Sequence, residues 1–117
     1  MFRIRQEHLE AFEQAATTRF EDEMVLHIEE CFPDEFSHLG EQRARELTRR
    51  GVSKARSYGI TKQREVCVYI DLMIVFGERF DNDSRYPWAR EILEENGEMA
   101  QHTKLDRLFA AALENLP

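Results

Sequence analysis

Apolar residues recur every three or four positions along most of the chain, and this spacing places them on one face of an α-helix. The first stripe predicts a helix over about 6–32, and its members are Leu9, Phe12, Ala16, Phe20, Met24 and Ile28. A short helical piece follows over 33–38 and ends before Gly40, and a second long helix covers about 41–58. The stripe of that second helix contains small residues, which predict a close contact with another helix.

The segment 62–76 is the most apolar part of the chain. It is apolar on nearly every side apart from Asp71, and a helix of that kind belongs in the middle of a bundle. Its β-branched residues would also suit a strand, but its length and its flanking caps favour a helix. The expected caps are Gly59, which ends the preceding helix, and Thr61, which begins this one.

Two further helices complete the prediction. Pro87 is a suitable first residue for a short helix that reaches about residue 95, and the loop 78–86 precedes it. The last helix covers about 98–116, and its stripe consists of Met99, Leu105, Leu108, Phe109, Ala112 and Leu116. The sequence therefore predicts an all-α fold, a compact five-helix bundle with the apolar helix 62–76 at its centre.

Length and composition restrict the class of protein. A chain of 117 residues builds one hydrophobic core, so we expect a single helical domain over 1–117. The chain has no apolar run long enough to cross a membrane, and its first residues lack the apolar run of a signal peptide. Cys31 and Cys67 match neither a disulfide scaffold nor a zinc motif. These features predict a cytoplasmic protein with no membrane partner.

The net charge of -7 is unevenly distributed along the chain. Residues 1–40 carry a net charge of -7, residues 41–64 carry +6 and residues 65–117 carry -6. The favoured interpretation of the basic segment is that it pairs with acidic neighbours in the same molecule, while a basic face for a partner stays open. The candidate partner-binding residues on one side of its stripe are Arg43, Arg50 and Lys54.

Nucleic acid is a less favoured partner. Ala55, Gly59 and Ile60 have the spacing of a helix-turn-helix turn, which keeps a DNA-binding regulator as an alternative. A recognition helix needs donors and acceptors for base edges, but the helix after this turn soon becomes apolar. The negative total charge also opposes DNA binding.

The sequence contains no pattern that argues for catalysis or for a metal. His27 and Cys31 lie one helical turn apart, but a zinc site would need a second pair of ligands. Asp81 and Asp83 lie in a loop that lacks the glycine and the glutamate of a calcium loop, so we interpret them as loop solvation or as capping of the helix at Pro87. We therefore expect a non-enzymatic protein with no metal and no cofactor.

Asp71 is a carboxylate within an apolar helix, so it must be paired, capped or turned to water. We expect an arginine of the same molecule, Arg56 or Arg90, as its partner. The alternative is a functional carboxylate at an interface, and Asp71 therefore stands among the candidate partner-binding residues.

Aromatic residues cluster near the predicted loop 78–86. Phe80, Tyr86 and Trp88 are candidate partner-binding residues, because aromatic side chains near loops are frequent in binding hot spots. The other interpretation is that these rings fix the loop to the core.

Several short motifs follow one another in the second half of the chain: ARSYGI at 55–60, DLM at 71–73, FG at 76–77 and PWA at 87–89. In this order they resemble a group of small helical proteins that are encoded beside effectors and spike components of bacterial type VI secretion and related toxin loci. The likeness covers most of the chain, and its motifs are structural. The resemblance implies an adaptor or chaperone that holds a secreted effector or spike protein, or else an immunity protein that blocks a toxin. It implies no catalytic residue, and a homodimer stays open.

Overall fold

A computed structural model of the chain describes residues 6–95 and 101–116. These residues form five α-helices and one 3₁₀ turn, with no strand among them, so the predicted all-α five-helix fold is confirmed. The elements are α1 (Gln6–Cys31), α2 (Pro33–Ser57), α3 (Gln63–Phe76), the 3₁₀ turn Phe80–Asn82, α4 (Pro87–Leu93) and α5 (Gln101–Glu114). The predicted start of the last helix at residue 98, the position of Met99 and the side chain of Phe12 lie outside the described part of the chain.

Contacts between residues divide the chain into two units, Met1–Arg45 and Glu46–Pro117. The single domain over 1–117 therefore stays a prediction. In the first unit α2 follows α1 after one residue, and Gly40 has φ 80° and ψ 166° inside α2. Only glycine adopts this conformation readily, so the predicted break at Gly40 is confirmed.

Salt bridges in the first unit join α1 to α2. The Arg45 guanidinium donates to Asp22 at 2.7 Å and lies 3.5 Å from Glu21 and 3.8 Å from Glu41. Arg45 is thus paired inside the molecule, as the favoured interpretation of the basic segment predicts.

The apolar stripe of α1 divides into two parts. Met24 and Ile28 are buried, at 2% and 0% exposure. Leu9 is 43% exposed and Ala16 is also exposed, while Phe20 is half-buried. The stripe thus has the predicted spacing, but only its second half is buried.

The core of the second unit is built around α3. Its buried apolar residues are Val66, Tyr69, Ile70, Leu72, Met73 and Phe76. A Cβ atom on Gly51 of α2 would lie 2.5 Å from Cγ1 of Ile70, so glycine permits the two helices to approach here. This is the close helix contact that the small residues of α2 predict.

The turn between α2 and α3 has the expected glycine cap but a different N-cap. Gly59 has φ 79°, and the amides of Gly59 and Ile60 donate to the carbonyls of Arg56 and Ala55 at 3.0 and 2.9 Å, which is a Schellman motif. The residue that precedes α3 is Lys62, in extended conformation and without a side-chain cap. The prediction of Thr61 as the N-cap is therefore wrong.

Candidate functional site

Asp81 is the most buried charged residue that the structure describes, with no exposed surface. Its Oδ2 atom accepts hydrogen bonds from Nζ of Lys54 at 2.7 Å and from the hydroxyl of Tyr58 at 2.6 Å. Both donors lie at the end of the α2 region, one turn apart, so they reach the same carboxylate. The interpretation of Asp81 as a solvated or capping loop residue is therefore wrong: it joins the 3₁₀ turn to α2.

The pKa values in this cluster follow from burial and hydrogen bonding. Burial acts to raise the pKa of Asp81, but the hydrogen bonds from Lys54 and Tyr58 outweigh it and hold the pKa below its ordinary value. Burial, and then the hydrogen bond to Asp81, raises the pKa of Tyr58 well above its ordinary range. Burial and the charge of Asp81 do the same for Tyr69. The cluster is thus an ionised carboxylate between an ammonium and two neutral phenols.

The two phenols differ in their bonding. Tyr69 is fully buried, and its hydroxyl has no hydrogen-bond partner within the described residues, in contrast to the hydroxyl of Tyr58. Because the Asp81 carboxylate is closed to solvent and accepts hydrogen bonds from two residues at the end of the α2 region, the cluster fixes the loop after α3 in place.

The basic candidates of α2 are used mainly inside the molecule. Lys54 belongs to the Asp81 cluster, and Arg50 bonds Glu78 in the loop after α3. Arg43, in the first unit, is exposed. Two of the three basic residues predicted to bind a partner thus serve to hold the loop, which is the intramolecular pairing that the sequence favours.

Asp71 is half-buried on α3. Arg90, one of its two expected partners, donates to Glu94, the residue directly after α4, at 3.1 Å. In the first unit His27 and Cys31 lie as close as their spacing predicts, with 3.6 Å between Nδ1 and Sγ, and Cys31 is exposed.

The aromatic candidates fix the loop to the core. Phe80 is fully buried, and its ring centroid lies 5.2 Å from that of Tyr69, so Phe80 offers no surface to a partner. Tyr86 and Trp88 are half-buried and lie edge-on to Phe76, with centroids 5.0 and 5.3 Å away. These geometries match the interpretation of the aromatic residues as a loop anchor, and they leave one side of Tyr86 and Trp88 in water.

The most open apolar surface of the second unit lies at the C-terminal end of α5. Phe109 and Leu113, four residues apart on this helix, are 49% and 56% exposed, and Leu116, just beyond the end of the helix, is 58% exposed. We call these three residues the α5 ridge. Phe109 and Leu116 belong to the same sequence stripe as Leu108, but of these three residues only Leu108 is buried.

A groove between α3 and α5 adjoins the ridge at Phe109. It has a volume of about 410 Å³, and its lining residues are Arg64, Glu65, Val68, Leu105, Asp106 and Phe109. Its walls combine apolar side chains with charges of both signs, a composition that suits a peptide or a helix.

No protein-family model, curated protein or solved structure matches this chain. Among the described residues, none of the helices combines the length and the apolar character needed to span a membrane. The periodicity of residues 105–116 could have revealed the ridge, because its apolar positions cover a wider arc than one buried face needs.

Proposed function

We propose that the protein is a non-enzymatic protein-binding module, and that it acts as an adaptor or chaperone for a type VI secretion effector or spike protein encoded beside it. The observation that carries the proposal is the α5 ridge beside the α3–α5 groove. The type of partner comes from the resemblance of the helical motifs.

The size of the ridge fits a binding surface. A single exposed apolar side chain is normal on a protein surface, but here two lie one turn apart on α5 and a third follows just beyond the end of that helix. At roughly half exposure these side chains leave on the order of 300 Å² of apolar surface in water, and patches of that size are often functional.

The free energy gained by burying the ridge can be compared with the cost of association. Burying about 300 Å² contributes about 7 kcal/mol at 25 cal/mol per Å². Association costs roughly 4 to 15 kcal/mol before any net affinity remains. The ridge can therefore anchor a complex, and contacts along the groove must supply the rest.

The chemistry of the groove supports binding of a helix. A helix laid along the groove would place apolar side chains on Phe109 and Val68, and its polar flanks would meet Arg64 and Asp106. Charges of both signs at the edge of an interface fix the register of the partner more than they add affinity.

The DNA-binding alternative has weaker support. After Arg64, the next residues of α3 that are not fully buried are Cys67, Val68 and Asp71, all half-buried. A thiol, a valine and a carboxylate do not provide the donors that read base edges or phosphates. A mobility-shift assay at low salt tests this alternative, and a specific, salt-dependent complex would support it.

Co-expression with each neighbouring gene product tests the proposal. We expect an effector or spike protein to co-purify with the wild type and to be lost from Phe109→Ser/Leu113→Ser. The matched control is Val75→Thr, which changes an exposed apolar residue of α3 about 16 Å along that helix from Arg64.

The outcomes separate the parts of the proposal. If no neighbouring product co-purifies with the wild type, the adaptor function is wrong. If the complex survives in Phe109→Ser/Leu113→Ser as in the control, the ridge is not the docking surface. Protection of cells from a co-expressed toxin would indicate the immunity alternative instead.

A further inference from the structure

The first half of α1 is a helical segment whose described side chains are exposed to solvent. Every described side chain from residue 9 to residue 19 is exposed. Met24, Val25 and Ile28, two turns further along the same helix, are buried. One continuous helix therefore changes from a segment whose described side chains are all exposed to one with buried apolar residues.

An exposed helix of this length has little to stabilise it. Short helices are marginal in water, and most helices in proteins depend on the packing of an apolar face. The exposed segment has such a face: Leu9, Ala16 and Phe20 continue the line that leads to Met24 and Ile28. Leu9 is 43% exposed and Phe20 is half-buried, so the face is available to a partner.

Charge determines what can cover this face. Helix α1 carries eight carboxylates and one arginine. Among the carboxylates whose side chains the structure describes, six are exposed: Glu10, Glu13, Asp22, Glu23, Glu29 and Glu30. A second copy of the chain would place the same acidic helix opposite this one, and like charges that flank an apolar seam oppose pairing.

We propose that the first half of α1 binds an amphipathic helix of the partner whose apolar stripe is flanked by lysine or arginine. Glu13 and Glu23 lie three or four residues from Leu9, Ala16 and Phe20, so they border the apolar face. In a two-helix pairing, basic side chains of the partner would meet these carboxylates, while its apolar stripe covers the face. The inference rests on the proposed protein-binding function and specifies the chemistry of the partner.

A synthetic peptide provides a direct probe. The peptide is a helix of about 21 residues, or six turns, with leucine at every third or fourth position and lysine at the flanking positions. The comparison peptide carries glutamate in place of lysine. Binding of each labelled peptide to the full chain is measured by fluorescence anisotropy over a salt series.

Two double variants of α1 test whether one face binds. Leu9→Gln/Ala16→Gln removes the apolar face, and Ala11→Gln/Ala15→Gln places the same residue type on the opposite face of the same turns. All four positions are exposed, and glutamine is a good helix former. Circular dichroism verifies that both variants keep the helical content of the wild type.

We expect the lysine peptide to bind the wild type at least about tenfold more tightly than the glutamate peptide, and to lose affinity as salt increases. Leu9→Gln/Ala16→Gln should weaken binding about tenfold, and Ala11→Gln/Ala15→Gln should leave it unchanged. Equal binding of the two peptides, or equal affinity of the two variants, overturns the proposal. A wild-type dimer that Leu9→Gln/Ala16→Gln dissociates in sedimentation equilibrium also overturns it, because a second copy would then be the occupant.

Co-purification distinguishes this inference from the adaptor function. If an effector co-purifies equally with the wild type and with Leu9→Gln/Ala16→Gln, the adaptor function is supported, and the proposal that the first half of α1 binds the partner is wrong. If no neighbouring product co-purifies but the lysine peptide binds the face formed by Leu9, Ala16 and Phe20, the proposed helix binding by α1 is supported and the adaptor function is wrong.

Discussion

Removal of the Lys54 ammonium is the sharpest test of the buried cluster around Asp81. In Lys54→Met the carboxylate keeps its position, with no exposed surface, but loses its cationic partner at 2.7 Å. The aliphatic stem of lysine is largely replaced by that of methionine, so packing changes little. The variant therefore measures how much free energy of unfolding is lost when a buried carboxylate has no cationic partner.

The expected loss of stability is about 2 to 3 kcal/mol. The Lys54 side chain is 40% exposed, so the ion pair itself contributes only about 1 kcal/mol after screening by solvent. The larger part comes from Asp81, because a buried charged group that loses its partner costs roughly 1 to 3 kcal/mol or more. Against a total stability of about 5 to 15 kcal/mol, this loss is easily measured.

Urea denaturation at pH 7, followed by circular dichroism, measures the effect. With a slope of about 1 to 3 kcal/mol per molar urea, a loss of this size should lower the midpoint by about 0.7 to 3 M. Lys62→Met is the control, since it removes an exposed lysine, and its effect should stay within about 0.5 kcal/mol. Lys54→Met/Asp81→Asn should recover part of the loss, because no charge is then stranded.

The pH dependence gives a second readout with a defined sign. In the wild type the folded-state pKa of Asp81 lies below its ordinary value of 3.8, so its contribution is complete above that value and is lost as the pH falls through the folded-state pKa. In Lys54→Met burial becomes the main influence and raises the folded-state pKa above the unfolded one. The stability of the variant relative to the wild type then increases as the pH falls through this raised pKa toward 3.8, so the gap in the free energy of unfolding narrows.

Two results would contradict the expected role of Lys54. A loss in free energy of unfolding below about 0.5 kcal/mol at pH 7 would show that the Asp81 carboxylate does not depend on Lys54 as its partner. A gap that stays constant from pH 7 down to 3.8, the ordinary pKa of the carboxyl group, would show that the pKa of Asp81 does not rise in the variant.

Two further substitutions test the packing of the second unit. Tyr58→Phe should cost about 1 to 2 kcal/mol, because Asp81 loses a hydrogen bond of 2.6 Å. Tyr69→Phe should be neutral or stabilising by up to about 1 kcal/mol, because its buried hydroxyl has no partner within the described residues; equal losses in the two variants would contradict this difference. Gly51→Ala should cost about 1 to 3 kcal/mol, since the new Cβ atom would lie 2.5 Å from Ile70 Cγ1, whereas alanine in an open helix normally stabilises. A higher melting temperature for Gly51→Ala would contradict the close approach of α2 and α3.

The helices were predictable because their signals are local. The spacing of apolar residues, the break at Gly40 and the cap at Gly59 all lie within a few residues of the features they determine. The same local reasoning misplaced the start of α3 by one residue, because Thr61 is a better capping residue by type than Lys62, which the backbone places at the N-cap.

The candidate site was only partly predictable, because its contacts join distant residues. Lys54 and Asp81 are 27 positions apart, and no periodicity links a lysine of one helix to a carboxylate in a later loop. Periodicity also states which residues share a helix face, but not whether another element covers that face. This is why Leu9 and Phe109 share stripes with core residues and yet are exposed.

Gly40 and Gly51 both require glycine, but for different reasons, and homologous sequences should reflect the difference. At Gly51 the restriction is space, with Ile70 as the neighbour that fills it. A smaller residue at position 70 could admit a side chain at position 51, so these two positions should vary together. At Gly40 the restriction is the backbone conformation, and no atom lies within 4 Å of a Cβ placed there. No second substitution can relieve that restriction, so position 40 should remain glycine in every relative that keeps the break in α2.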